Sequence, residues 1–82
     1  MDDKIGAYDL REEERRLRAF RFLTDLTHQR LCVERLSLGE AHGLVAGLRR
    51  TAEAFFPGRA HVFDLVIAPR LERVIRERFP LN

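Results

Sequence analysis

The sequence predicts an all-α protein: a compact bundle of three to four helices over residues 9–35, 37–56, 60–68 and 69–79, with a kink or break at Pro69. Three observations predict it. Apolar residues recur at helical spacing along most of the chain, two capping-box sequences mark helix starts, and prolines mark helix ends. With 82 residues, 45% of them apolar and 34% charged, the chain has the composition of a globular protein and the length of one domain, expected over residues 9–82.

The first helix is expected to begin at Asp9, after a tail or short arm over residues 1–8. The Asp9 carboxylate can cap the first turn, and Glu12 completes a capping box. The apolar residues of this helix form a broad arc that can contact more than one neighbour. They are Leu17, Ala19, Phe20, Phe22, Leu23, Leu26, Leu31 and Val33. The weak helix formers at residues 24–27 leave open whether the helix is continuous there.

The second helix is predicted to begin after Ser37, which forms a capping box with Glu40, and to end by Phe56, because Pro57-Gly58 is a turn sequence. In the last segment Pro69 removes a backbone donor and clashes with the preceding turn, which predicts two short helices. A strand over residues 62–67 is the alternative, since that stretch is rich in β-branched and aromatic residues.

Three glycines spaced four residues apart, Gly39, Gly43 and Gly47, fall on one stripe of the second helix, opposite its apolar side. Ala54 extends the stripe and Arg50 interrupts it. Each glycine inside a helix costs about 1 kcal/mol relative to alanine, and close approach of another backbone is the usual reason to keep one. The five residues are therefore a candidate partner interface, with glycines that are merely tolerated as the alternative.

The sequence carries no recognisable catalytic or metal-binding pattern. His28, His42 and His61 lack metal-ligand spacing and are expected on helix surfaces. Cys32 is expected to be a small buried or half-buried residue. Asp64 interrupts an apolar run and is expected to favour the first turns of the third helix through the helix dipole. We therefore expect no enzyme activity, no metal and no cofactor.

Nucleic-acid binding is the main alternative to an assembly role. The chain has a net charge of +2, and Lys4 is the only lysine among 15 basic residues. Arginines around the Pro57-Gly58 turn and in the last helix are candidate phosphate contacts: Arg49, Arg50, Arg59, Arg70, Arg73, Arg76 and Arg78. The acidic residues Glu72 and Glu77 in the same helix count against it.

These observations favour a small, non-catalytic helical module for interaction or assembly. We expect it to form a homodimer or to act as an adaptor or regulatory subunit for another protein. A location in the cytoplasm and no contact with membranes are expected, since no apolar run is long enough to span a bilayer and the N-terminus lacks a secretory signal pattern.

Overall fold

The computed structural model describes the backbone of residues 2–80 and the side chains of residues 10–80. Helix α1 is Asp2–Val33, α2 is Leu38–Phe55, α3 is Ala60–Val62, and α4 is Ala68–Arg78; a π-helical segment, Phe63–Ile67, joins α3 to α4 without interruption. The last three elements thus form one helical stretch over residues 60–78. The predicted all-α bundle of three helices is confirmed, and the alternative of a strand over residues 62–67 is wrong.

Helix α1 is continuous across residues 24–27, so the weak helix formers there do not break it. The Thr24 hydroxyl donates to the Phe20 carbonyl at 2.9 Å, and the Thr27 hydroxyl donates to the Leu23 carbonyl at 2.8 Å. Because both hydroxyls bond within the helix, the two threonines do not interrupt it. The helix begins before the expected Asp9 and ends before the expected residue 35; the predicted tail over 1–8 lies outside the residues whose side chains are described.

Both predicted boundaries of α2 are confirmed to within a residue. The Glu40 amide donates to Ser37 Oγ at 3.0 Å, while the Ser37 amide donates to Glu40 Oε1 at 2.8 Å, so the capping box is complete. At the other end Gly58 has a φ of 82°, a left-handed conformation that favours glycine. The Arg59 amide donates to the Phe56 carbonyl at 3.1 Å and closes the Pro57-Gly58 turn.

The chain stays helical across Pro69, so the two separate helices expected over 60–68 and 69–79 are replaced by one stretch. Proline cannot donate to the carbonyl four residues before it, and its ring clashes with that carbonyl in a regular helix. Here the preceding turn is widened: the Ala68 amide donates to the Phe63 carbonyl, five residues back. A π-helical turn therefore accommodates Pro69 within the helix. The kink at this residue stays a prediction.

The hydrophobic core lies where α1, α2 and the 60–78 stretch meet. The Phe20 ring is edge-on to Phe56 at 5.8 Å and to Phe63 at 6.5 Å between centroids. Arg78 ties the end of α4 to the end of α1, since its guanidinium donates to the carbonyls of Leu31 and Glu34. The buried residues are Phe20, Leu31, Ala41, Val45, Leu48, Ala52, Phe63, Leu71 and Ile75.

The molecule is elongated, with principal extents of 61 × 22 × 15 Å and a radius of gyration of 15.5 Å. A compact domain of this length has a radius of gyration near 12 Å. The difference follows from α1, which at 1.5 Å per residue is about 48 Å long against about 27 Å for α2. No helix in the described part of the chain has an apolar stretch long enough to cross a membrane.

Candidate interaction surface

Helix α1 carries a second apolar stripe on the side away from the core. We call it the outer stripe of α1: Ala19, Phe22, Leu26 and Val33, all of them exposed. Phe22 is 65% exposed and Val33 69%. At about 100° per residue the stripe lies roughly 140° around the helix from Phe20 and Leu31. The apolar arc read from the sequence therefore divides into a buried side and an uncovered side.

Helix α2 presents its small residues to solvent. We call this the small-residue strip of α2: Gly39, Gly43, Gly47 and Ala54, with Arg50 among them. A β-carbon added at Gly43 would meet no atom within 4 Å, and one at Gly47 would meet only the end of the Arg50 side chain at 3.6 Å. Nothing inside the subunit therefore requires glycine at these positions. The five residues lie on one side of α2, with Gly47 partly buried and the others exposed; that they form a partner interface stays a prediction.

The outer stripe and the small-residue strip belong to neighbouring parts of one surface. Ala19 of α1 and Ala54 of α2 line the same open cavity, of about 440 Å³. α1 and α2 run antiparallel, and α4 packs on the other side of the pair, where Leu17 shares a cavity with Ile67 and Arg70. The α1–α2 pair thus has one face covered by α4 and one open face, the outer face, which carries exposed apolar residues; Glu12, Arg15 and Arg16 line its cavity as well.

The charged residues of α1 and α2 are only partly paired with one another. Glu12 pairs with Arg16, Arg30 with Glu34, and Arg49 with Glu53. Glu14, Arg18 and Asp25 on α1 and Arg50 on α2 are exposed and make no ion pair with any described side chain. Arg50 lies within the small-residue strip, whereas Asp25 lines the cavity between α1 and α4.

Three of the seven arginines predicted as phosphate contacts already pair with acidic side chains within the chain. Arg49 binds Asp64 and Glu53, Arg59 lies 3.4 Å from Glu13, and Arg73 lies 3.2 Å from Glu77. Arg70 and Arg76 have no acidic partner among the described side chains. Engaged guanidinium groups neutralise phosphates less readily, so the paired arginines weaken the support for nucleic-acid binding.

Asp64 makes an ion pair that the sequence analysis did not predict. Its carboxylate accepts from Arg49 Nε at 2.7 Å and from a terminal guanidinium nitrogen at 3.0 Å, a bidentate pair linking α2 to the π-helical segment. These hydrogen bonds, with the charge of Arg49, lower the pKa of the Asp64 carboxyl, and the carboxylate in turn raises the pKa of Arg49. The fifteen-residue separation explains why helical spacing rules missed the pair.

The Arg49–Asp64 pair should make the stability depend on pH. Since the pKa of Asp64 is lower in the folded state, the pair stabilises the fold above the unfolded-state pKa, and this contribution is lost as pH falls through the folded-state pKa. We expect Asp64→Asn to lower the urea midpoint at pH 7 but to match the wild type near pH 2. Glu14→Gln, at an exposed residue without an ion pair, is the control. An equal deficit for Asp64→Asn at both pH values would contradict this assignment.

The histidines and the cysteine lie at the surface in the part of the chain that is described. His28, His42 and His61 are on helix surfaces, as predicted, and residues 10–80 contain no group of three potential metal ligands. Cys32 is exposed, which corrects the expectation of burial. Its thiol lies 3.8 Å from His28 Nδ1, one turn earlier, a neighbour that the i,i+4 spacing would have revealed.

A cavity of about 410 Å³ between the start of α2 and the end of α4 has His42 and Glu72 at its rim, 3.8 Å apart. Its lining includes no serine, threonine or cysteine that could act as a nucleophile. The exposed apolar residues make the outer face of α1 and α2 the main candidate for function. Comparison with models of protein families, with curated proteins and with solved structures finds no match for this chain.

Proposed function

We propose that this protein is a non-catalytic helical assembly module that forms a homodimer through the outer face of α1 and α2. The observation that carries the proposal is the uncovered apolar stripe of α1, with Phe22 65% exposed and Val33 69% exposed, beside a strip of α2 with almost no side chains. Exposed apolar surface of this kind typically marks an interaction site. A cytoplasmic location stays part of the proposal.

A second copy fits this face better than an unrelated partner because the face is complementary to itself. It holds a ridge of large apolar side chains on α1 and a flat strip on α2. In a twofold dimer the same patch is used by both subunits, so each ridge can meet the other subunit's strip. A small domain also gains stability from burying such a face.

The first experiment is the native mass in dilute solution, for the wild type and for Gly43→Leu. If the strip is a contact, leucine overpacks it, costs about 1–3 kcal/mol of association free energy and shifts the mass toward the monomer. If the strip faces solvent, leucine stabilises the helix by up to about 1 kcal/mol. As a control, Arg73→Leu places the same side chain at an exposed position of α4 and is expected to leave the mass unchanged.

A monomeric wild type at all accessible concentrations would refute the homodimer. A Gly43→Leu variant that melts higher with unchanged mass would refute the role of the strip. A gel-shift assay with labelled duplex DNA at low and moderate salt tests the alternative, because binding through Arg70, Arg73 and Arg76 would be strongly salt-dependent. We expect no shift.

A further inference from the structure

The cavity between the start of α2 and the end of α4 is separate from the outer face, because it shares no lining residue with the outer stripe or the small-residue strip. Its volume of about 410 Å³ lies in the range of about 300–1,000 Å³ that is typical of small-molecule sites. Such sites have mostly apolar walls and a few polar side chains that orient the ligand. The apolar residues of this lining are Leu38, Ile75, Phe79 and Pro80.

The apolar part of the lining combines a buried base with an accessible wall. Ile75 is 3% exposed and belongs to the hydrophobic core, and Phe79 packs against that core from the end of α4. Leu38, at the start of α2, is 40% exposed. A ligand with an apolar body would therefore lie on side chains that the fold holds in place, and it would remove exposed apolar surface from water.

Three ionisable side chains line the same cavity, and two of them face each other. Glu72 Oε1 lies 3.8 Å from His42 Nδ1, across the gap between α4 and α2. Arg76 follows Glu72 by one helical turn, yet it makes no ion pair with any described side chain. Because the Glu72 carboxylate lies beside His42, the donors of the Arg76 guanidinium are left for a ligand.

We propose that this cavity binds a small amphipathic carboxylate. The ligand carboxylate accepts hydrogen bonds from Arg76, whose planar guanidinium matches a carboxylate with two parallel donors. His42 Nε2 makes no hydrogen bond with residues 10–80 and is the second donor to the ligand. The apolar body of the ligand lies on Leu38, Ile75 and Phe79. This site does not depend on the proposed homodimer, because its residues are not on the outer face.

An amine with the same apolar body is the alternative ligand, since Glu72 also lines the cavity. The charges favour the carboxylate for two reasons. The Glu72 carboxylate already has His42 beside it, whereas Arg76 has no acidic partner among the described side chains. An ammonium group in this cavity would also lie close to the positive charge of Arg76, and like charges repel.

Three probes with the same eight-carbon chain test the proposal: octanoate, octylammonium and 1-octanol. In an NMR titration of the wild type we expect octanoate to bind about threefold to tenfold more tightly than 1-octanol, because its carboxylate gains charged hydrogen bonds at an exposed arginine. Octylammonium should bind more weakly than octanoate. The methyl signals of Leu38 and Ile75 should shift on binding, whereas those of Leu65, on the π-helical segment, should not.

Two variants of α4 separate the charge of Arg76 from a general effect of arginine removal. Arg76→Gln should reduce the affinity for octanoate to that for 1-octanol, and it should leave 1-octanol binding unchanged. Arg70→Gln is the matched control, because Arg70 is an exposed arginine of the same helix, also without an acidic partner among the described side chains, that lines a different cavity. It should bind octanoate as the wild type does.

Several results would overturn the proposal. One is the absence of a saturable shift at Leu38 and Ile75 up to the solubility limit of octanoate. Another is a response at Phe22 and Val33 instead, which would place binding on the outer stripe. Tighter binding of octylammonium than of octanoate would show that Glu72 sets the charge preference. An equal loss of octanoate and 1-octanol affinity in Arg76→Gln would show that Arg76 does not bind the carboxylate.

Discussion

Leu31→Ala is expected to lower the free energy of unfolding by about 2–5 kcal/mol, the usual cost of truncating a fully buried leucine. Leu31 is 1% exposed and belongs to the cluster in which α1 meets α2 and α4. Proteins of modest size have only about 5–15 kcal/mol in total, so most of the stability margin would be lost. The variant's urea midpoint should fall steeply.

Leu65→Ala is the matched control, because Leu65 is 75% exposed. Surface substitutions of this kind usually change stability by less than about 0.5 kcal/mol. Both variants must be compared at one protein concentration, because dimerisation makes the apparent stability depend on concentration. Equal midpoints for the two variants would show that Leu31 is not in a core contact.

The local boundaries of this fold could be predicted because they depend on neighbouring residues. The Ser37 and Glu40 capping box marks the start of α2, and the Pro57-Gly58 turn marks its end. The effect of Pro69 does not follow from its neighbours in sequence alone. It depends on whether the preceding turn widens so that the Ala68 amide donates to the Phe63 carbonyl. No single residue indicates this backbone geometry.

The candidate site could be predicted only in part. Helical periodicity predicts that the small residues of α2 share one side of the helix, because they belong to one helix, and they lie there; their role as a partner interface stays a prediction. It did not divide the apolar arc of α1 into core and outer stripe, since that depends on where α2 and α4 pack. The contacts of Arg78 with the Leu31 carbonyl and of Arg49 with Asp64 likewise join distant parts of the chain.

The largest effect on assembly should come from Phe22→Glu. Phe22 is the largest side chain of the outer stripe and is 65% exposed in the subunit, so the replacement leaves the isolated fold intact. In the proposed dimer it would remove the largest apolar contact of the outer stripe and place a carboxylate against the partner's α2, twice by symmetry. Truncating an interface hot spot costs about 2 kcal/mol or more. Two such sites predict a dissociation constant raised about a thousandfold.

Sedimentation velocity over a range of concentrations measures this effect. Leu65→Glu, which puts the same charge at a residue 75% exposed on the π-helical segment, should keep the mass of the wild type. The comparison holds the change in charge constant and varies only its position, so a general effect of acidic substitution would appear in both variants. If Phe22→Glu sediments as the wild type does, α1 contributes nothing to association. The exposed stripe would then have to be explained by a partner other than a second copy of this chain.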